Sequence, residues 1–223
     1  MRSATVWRST THRRASAIPP ASVRKDGTLS PAISPLAMHF RNVSFLVLDN
    51  PQLWETLPEG HRGVIGVPVI LGLNTLHWSK AGTLEVGVPS QPGPVNLAYV
   101  ENKLTVAITI ANRQAFFTLD TGATTTDLNN NFADSFSDLL RDAKQETIQI
   151  SGAGGVTHLE ALILPELKVE LAGQATTLRP ATVSRQSNPG LGGKCCVGNL
   201  GDELITSTGA FTLDFSRMSF RLR

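Results

Sequence analysis

One short run of residues brings together side chains that can do acid–base chemistry: residues 116–128 read FFTLDTGATTTDL. Asp120 directly follows an apolar stretch, and Thr121 and Gly122 after it are residue types found in tight turns. A single carboxylate is ionised at pH 7 and is only a modest base toward water. Two carboxylates about 3 Å apart cannot both ionise, so they share one proton, and one can accept a proton from water while the other polarises a carbonyl. Asp120 is therefore either an ordinary turn residue or half of a catalytic pair.

Composition indicates a globular protein and argues against two classes of partner. The chain has 223 residues, of which 41% are hydrophobic, enough for one large domain or two small ones. Lys and Arg number 20 against 18 for Asp and Glu, a net charge of +2, so we expect no broad basic face and no nucleic-acid partner. The longest apolar stretches, such as residues 64–73, have about half the length that a transmembrane helix needs.

The first 29 residues form a leader whose composition differs from the rest. They hold five arginines and no acidic residue before Asp26. They contain no apolar core of the length that a secretory signal requires. The composition is that of an organelle transit peptide, and it equally suits a disordered leader or a start codon upstream of the folded region. The compartment, bacterial cytoplasm or export, is left open.

From about residue 30 onward, short alternating runs predict a mostly β protein. In residues 103–110, Leu104, Val106 and Ile108 alternate with more polar positions, as in a half-buried strand. We predict strands at residues 37–50, 82–88, 103–110, 114–120, 146–150, 156–164, 167–173, 175–183, 210–215 and 218–223. We predict short helices at residues 131–140, 67–76 and 199–207.

A linker and a weak internal repeat divide the chain. Residues 88–96 hold three prolines and a glycine, which disfavour both helix and sheet. After the linker, two apolar residues and Gly198 precede a helical piece and the strand that contains Leu213. Before it, two apolar residues and Gly66 precede a helical piece and the strand that contains Leu84. This matching order favours a repeat in which the early copy has no counterpart of Asp120.

Residues 100–223 resemble a retropepsin-type aspartic protease unit, the single-lobe design of retroviral proteases and their bacterial relatives. The resemblance is carried by the apolar strand entering Asp-Thr-Gly-Ala, by the glycine-rich segment SGAGG at residues 151–155, by the apolar-apolar-glycine motif ending at Gly198, and by the helix and strands that follow it. It implies a closed β-barrel with short helices, in which the motif at Gly198 supports the active-site turn from behind.

The resemblance also implies roles for particular residues. Asp120 would be the catalytic carboxylate, and the active-site turn would be formed by Thr121, Gly122 and Ala123. The flap would consist of Ser151, Gly152, Ala153, Gly154 and Gly155, and the support loop of Cys196, Val197, Gly198 and Asn199. Such a site hydrolyses an extended peptide with an activated water, without metal or cofactor. It needs two carboxylates, so an active chain is expected to form a homodimer.

The same resemblance gives the domain organisation. We expect a leader at residues 1–29, a partial N-terminal protease-like lobe at 30–88, a linker at 89–98 and the protease unit at 99–223. The partial lobe departs from two-unit relatives, because the leader stands where their first Asp-Thr-Gly lies. Three hypotheses remain open: an aspartic endopeptidase, a non-catalytic module of the same fold that binds peptide or dimerises, and a gene start placed downstream of a first Asp-Thr-Gly.

The remaining candidate residues have ordinary interpretations. Asp127, Asp134 and Asp138 are conceivable metal ligands, and we expect them on a solvated helix and its approach. His158 follows the glycine-rich segment and faces either the cleft or, as we expect, the solvent. A disulfide between the adjacent Cys195 and Cys196 would be strained, and a metal site would lack its other ligands. We interpret both cysteines as small buried residues.

Overall fold

The structure is a computed structural model that describes residues 21–23, 65–79, 81, 83–87, 91–152, 155–185, 195–205 and 209–222. Its helices are α1 (Val67–Gly72), α2 (Asn130–Ser135), a 3₁₀ helix (Ser137–Leu140) and α3 (Asp202–Ile205). Its strands are β1 (Ala21–Val23), β2 (Thr75–Ser79), β3 (Leu84–Val86), β4 (Leu97–Val100), β5 (Lys103–Ile110), β6 (Arg113–Leu119), β7 (Asp127–Leu128), β8 (Lys144–Gly152), β9 (Gly155–Leu164), β10 (Leu167–Leu171), β11 (Gln174–Leu178), β12 (Ala181–Ser184), β13 (Gly198–Leu200), β14 (Ala210–Asp214) and β15 (Ser219–Leu222).

The alternating pattern of residues 103–110 forms a strand as predicted. In β5 the side chains of Val106, Ile108 and Ile110 are buried in the main core. The chain then reverses at Ala111 and Asn112, both in the left-handed region at φ 48° and 61°, a geometry suited to a two-residue hairpin. This hairpin delivers β6 alongside β5 and so directs the chain toward Asp120.

Several predicted elements are corrected by the structure. The predicted helix 67–76 ends at Gly72, because Asn74 takes a left-handed conformation at φ 66° and the chain continues as β2. The predicted strand 175–183 is two strands, which separate before Pro180, a residue with no N–H to donate to a ladder. The predicted linker 89–98 ends sooner, since Leu97 already begins β4. The predicted strand 37–50 lies outside the described residues.

The larger sheet builds the core and curls into a half-barrel. Its strands follow the order β11-β10-β5-β6-β13-β7-β12-β9-β8, with β4 also paired to β5. Among the described strands this path has two ends, β11 and β8, so the closed barrel expected from the sequence is not formed. The fold is mostly β, as predicted.

The smaller sheet joins the two sides of the linker. Its order is β1-β3-β2-β14-β15, so three strands from before residues 91–96 and two strands from after them form one sheet. β2 and β14 are antiparallel neighbours at its centre. At the outer edge of β15, the Asn96 side chain donates to the carbonyl of Phe220 (3.0 Å) and accepts from its N–H (2.7 Å). The Asn96 side chain at the end of the linker therefore satisfies both backbone groups of Phe220 at this edge.

Two segments of the chain that contribute strands to the smaller sheet share the same order of elements, a helix followed by two strands, and we call them the first and second runs. The first is α1, β2 and β3, and the second is α3, β14 and β15. His77 and Thr212, 135 residues apart, occupy matching positions, and the same spacing relates Gly66 to Gly201 and Asn74 to Gly209, both with positive φ. This spacing aligns Gly66 with Gly201, whereas the repeat suggested by the sequence aligns Gly66 with Gly198. The reason is that Gly201, like Gly66, directly precedes its helix.

Among the described residues, none of the helices combines the length and the apolar character needed to cross a membrane.

Candidate active site

The candidate site lies where three strands meet at the end of β6. The short strand β13 lies between β6, to which it runs parallel, and β7, to which it runs antiparallel. The chain leaves β6 at Asp120, makes a turn and returns as β7 on the far side of β13. The N–H of Asp120 donates to the carbonyl of Leu200 at the end of β13 (3.0 Å). The turn that carries Asp120 is thus fixed from behind by a strand distant in sequence.

Both oxygens of the half-buried Asp120 carboxylate accept a hydrogen bond. The backbone N–H of Gly122 donates to Oδ1 (2.9 Å). The side-chain amide of Asn199 donates to Oδ2 (3.1 Å), and Asn199 itself is buried. A Cβ at position 122 would lie 3.2 Å from Oδ1, so a side chain there would crowd the carboxylate. Two donors therefore fix the orientation of this acid, with Thr121 and Gly122 exposed at the tip of the turn.

The rest of the turn is bonded to the start of α3. The N–H groups of Asp202 and Glu203 donate to the carbonyls of Ala123 (2.7 Å) and Thr124 (3.3 Å). In return, the Glu203 carboxylate accepts from the N–H of Thr126 (2.6 Å). A carboxylate in the first helical turn is well placed to accept backbone donors. Glu203 was not predicted as a site residue from the sequence, although an acidic residue at the start of a short helix is a signal that could have identified it.

The support loop predicted at Cys196–Asn199 lies beside this turn. The carbonyl of Cys196 accepts from the side-chain amides of Asn129 (3.0 Å) and Asn131 (2.8 Å). The N–H of Val197 donates to the carbonyl of Phe116 on β6 (2.9 Å). Cys196 is buried, as interpreted from the sequence, whereas Cys195 is only partly buried. Burial raises the pKa of the Cys196 thiol to about 12, which leaves it a poor nucleophile.

The predicted flap coincides with the tip of the hairpin formed by β8 and β9. Ser151 and Gly152 end β8, Gly155 begins β9, and Gly152 is paired with Gly155. Ala153 and Gly154, the two residues between these strands, lie outside the described residues. His158 follows on β9 and is exposed, as expected.

Asp127 is the functional candidate that the sequence placed wrongly. It lies on β7 and is half-buried, instead of lying on the solvated approach to a helix. Burial raises the pKa of Asp127, and the negative charges of Glu203 and Asp120 raise it further. Its strand has only two residues, which is too short for any periodic pattern to reveal. The site therefore contains a second acid that is more easily protonated than an ordinary aspartate.

Replacing Asp127 should change the pH dependence of folding stability. Its folded-state pKa is raised, so the native state holds the proton more tightly than the unfolded chain does, and stability falls as pH rises through the native pKa. Asp127→Asn is expected to raise the free energy of unfolding at pH 7 relative to the unchanged protein. Below the ordinary carboxyl pKa the two proteins should be about equally stable, because Asp127 is then protonated in both the folded and the unfolded state. Urea unfolding at pH 3.5 and at pH 7 measures this change. An equal effect of the substitution at both pH values would contradict it.

Removing the Asn199 amide should lower both the stability of the protein and any activity that depends on Asp120. Asn199→Ala takes away the donor to Asp120 Oδ2, and a hydrogen bond to a charged group is worth about 1.5–3 kcal/mol. We expect a loss of that size in the free energy of unfolding, measured by urea titration, and a loss of any activity that depends on Asp120. Asn131→Ala is the matched control, because it removes an amide bonded to the Cys196 carbonyl and makes no contact with Asp120 that the structure describes. Equal effects of both variants on activity would assign Asn199 a purely structural role.

The other acidic candidates make different contacts. The Arg113 guanidinium donates to both oxygens of Asp138 (2.8 and 3.0 Å), a hydrogen bond that lowers the pKa of that acid. Asp134 is exposed on α2, as expected of a solvated helix. Within the described ranges, no three His, Cys, Asp or Glu side chains are grouped so that they could hold a metal ion.

No protein-family model matches this chain, and the search of curated proteins also gives no match.

Proposed function

We propose that the protein is an aspartic-type endopeptidase in which Asp120 is one of two catalytic carboxylates. The observation that carries this proposal is the environment of Asp120. Its carboxylate lies at the end of a strand, on an Asp-Thr-Gly turn, with one oxygen bonded to the Gly122 N–H and the other to the Asn199 amide. The strand β13, inserted between β6 and β7, holds this turn rigidly. The resemblance to retropepsin-like proteases, stated from the sequence, supports the same proposal.

The proposed reaction is hydrolysis of a peptide bond by water bound between the two carboxyl groups. The ionised carboxylate accepts a proton from the water as the water oxygen attacks the carbonyl carbon, and the protonated group donates its proton to the carbonyl oxygen. In the tetrahedral intermediate the C–N bond then breaks. The protonated carboxyl group donates its proton to the amine nitrogen, a hydroxyl of the intermediate returns a proton to a carboxylate as the carbonyl re-forms, and the two carboxyl groups again share one proton. A substrate in extended conformation suits a cleft between a hairpin and strand ends.

Asp127 is not the second catalytic carboxyl group. β13 lies between β6 and β7, so the backbones of these two strands are separated by two strand spacings, about 10 Å. A shared proton requires carboxylates about 3 Å apart. We therefore assign the partner of Asp120 to another polypeptide segment, and homodimerisation, in which each copy supplies Asp120, is the form of this proposal that follows from the sequence.

Cleavage of an unstructured protein substrate tests the proposal. The full chain is incubated with reduced, unfolded casein between pH 3 and pH 7, and new N-termini are quantified. Cleavage that depends on Asp120 supports the endopeptidase. A folded sample that cleaves nothing over this range contradicts it for the chain alone.

A second function is favoured by one observation, the single Asp-Thr-Gly in the sequence. A chain of this fold without a second carboxylate would bind an extended peptide without cleaving it. Binding of a peptide library by the folded protein, unchanged in Asp120→Asn and without cleavage, is the result expected for such a module.

A further inference from the structure

The two helix–strand–strand runs of the smaller sheet are related by a local two-fold axis. β2 and β14 pair antiparallel, and at their centre His77 pairs with Thr212, its own equivalent 135 residues later. The His77 Nδ1 and Thr212 Oγ1 atoms are 2.9 Å apart on this axis. Thr75 pairs with Asp214, and the equivalent of Thr75, Ala210, pairs with Ser79. The sheet thus has the symmetry of two similar units that face each other.

Burial breaks this symmetry. Leu200 is fully buried, whereas Ile65, its equivalent in the first run, is 66% exposed. α3 buries Leu204 and Ile205, whereas α1 buries no residue. In the second run, Leu200, Leu204 and Ile205 all belong to the main core. The two runs therefore differ in the chain segments that cover them.

The two glycines that precede the helices show the same difference. Gly201 lies directly against the backbone carbonyl of Thr125, in the turn that follows Asp120. For Gly66, the nearest atom to an added Cβ would be Cδ of Pro68 at 3.6 Å, in its own helix. The second run is covered by residues 116–128, which comprise the end of β6, the Asp120 turn and β7. No equivalent of this cover is found over the first run in the described ranges.

We propose that the first run binds a strand–turn–strand of a second polypeptide. The docking surface, which we call the bare face, consists of Ile65, Gly66 and Val69, while Ile70 of the same helix packs against the main core. The occupant has the chemistry of residues 116–128: an apolar strand, an Asp-Thr-Gly or Asp-Ser-Gly turn and a short returning strand. The local two-fold axis then sets its aspartate opposite Asp120. Docking rests on the burial comparison, while the catalytic use of that aspartate rests on the proposed function.

The homodimer predicted from the sequence would not place a second copy on the bare face, because a second copy fits there poorly; the proposed occupant is therefore a different polypeptide. In a second copy, residues 116–128 are already packed against its own Gly201 and α3. The β14–β15 hairpin is also contacted on both sides, which hinders its pairing with the same hairpin of a second copy. β2 pairs with β14 on one side, and Asn96 bonds both backbone groups of Phe220 on the other.

A labelled peptide with the sequence of residues 113–128 serves as the probe for the full chain. Fluorescence anisotropy is expected to show binding of this peptide and at least tenfold weaker binding of a scrambled peptide of the same composition. Ile65→Asp should weaken binding at least tenfold, because it places a charge in the bare face. Val95→Asp is the matched control, since Val95 is 82% exposed elsewhere, and it should leave binding within twofold.

Several results would overturn the docking proposal. These are no binding at millimolar peptide, equal binding by the scrambled peptide, and equal binding by Ile65→Asp. A dimer in light scattering that Ile65→Asp dissociates would assign the bare face to a second copy. A large loss of stability in Ile65→Asp alone would show that residues 1–64 of the chain already cover it.

A second measurement separates docking from catalysis. Where the peptide binds, it should raise the rate of casein cleavage above that of the chain alone, and a peptide in which the aspartate matching Asp120 is replaced by asparagine should not. Binding of both peptides without cleavage supports the docking surface and contradicts the proposed endopeptidase.

Discussion

Asp120→Asn is expected to abolish peptide cleavage while the protein remains folded. The substitution keeps the size of the side chain and leaves an oxygen that can still accept from the Gly122 N–H. It removes the group that exchanges a proton with water, and acid–base groups of this kind contribute a factor of about 10²–10⁴ to rates. Initial rates of casein cleavage measure the loss, and the thermal unfolding midpoint shows that the fold is intact.

The control for this prediction is Asp142→Asn, which makes the same chemical change at an exposed acid after the 3₁₀ helix. It should leave cleavage within about twofold, because surface substitutions away from the site have small effects. An active Asp120→Asn protein would remove Asp120 from the mechanism. Equal losses in both variants would point to a change in net charge as the cause.

The strand that carries Asp120 could be predicted from the sequence because its signals are local. The alternation in β5, the following hairpin and the apolar run into Asp120 all lie within about twenty residues, and each alone favours the same structure. The support loop at Cys196–Asn199 was predicted through resemblance and not through periodicity, and these residues lie beside the turn.

The contacts that orient the acid could not be predicted in the same way. β7 and β13 have two and three residues, so neither shows a period, and their pairing joins segments about seventy residues apart. The Asn199 amide reaches Asp120, and the Glu203 carboxylate reaches Thr126, only after that pairing forms. The predicted helix 67–76 included the first two residues of β2, because the left-handed Asn74 that separates α1 from β2 gives no pattern in the sequence.

Gly201→Ala is expected to destabilise the protein strongly and to displace the Asp120 turn. The φ of Gly201 is not positive, so alanine can adopt its backbone conformation and strain is not the issue. The obstacle is space, because an added Cβ would overlap the carbonyl of Thr125 and also approach the carbonyl of Ala123 at 3.0 Å. Both atoms are backbone and cannot rotate away. Overpacking costs typically about 1–3 kcal/mol, and we expect a loss of about 3 kcal/mol in the free energy of unfolding, measured by urea titration.

Gly66→Ala makes the same change at the equivalent position of the first run and isolates the effect of the neighbouring turn. Its Cβ would meet only Pro68 at an ordinary 3.6 Å, and its backbone is extended, so the cost should stay within the approximately 1 kcal/mol of a lost N-cap preference. If both variants lose stability equally, the bare face at Gly66 is covered in solution and the asymmetry between the two runs is wrong. If only Gly201→Ala loses stability, the Asp120 turn covers the second run and no matching turn covers the first. The bare face at Gly66 then has the shape that a second aspartate-bearing turn would need to fit.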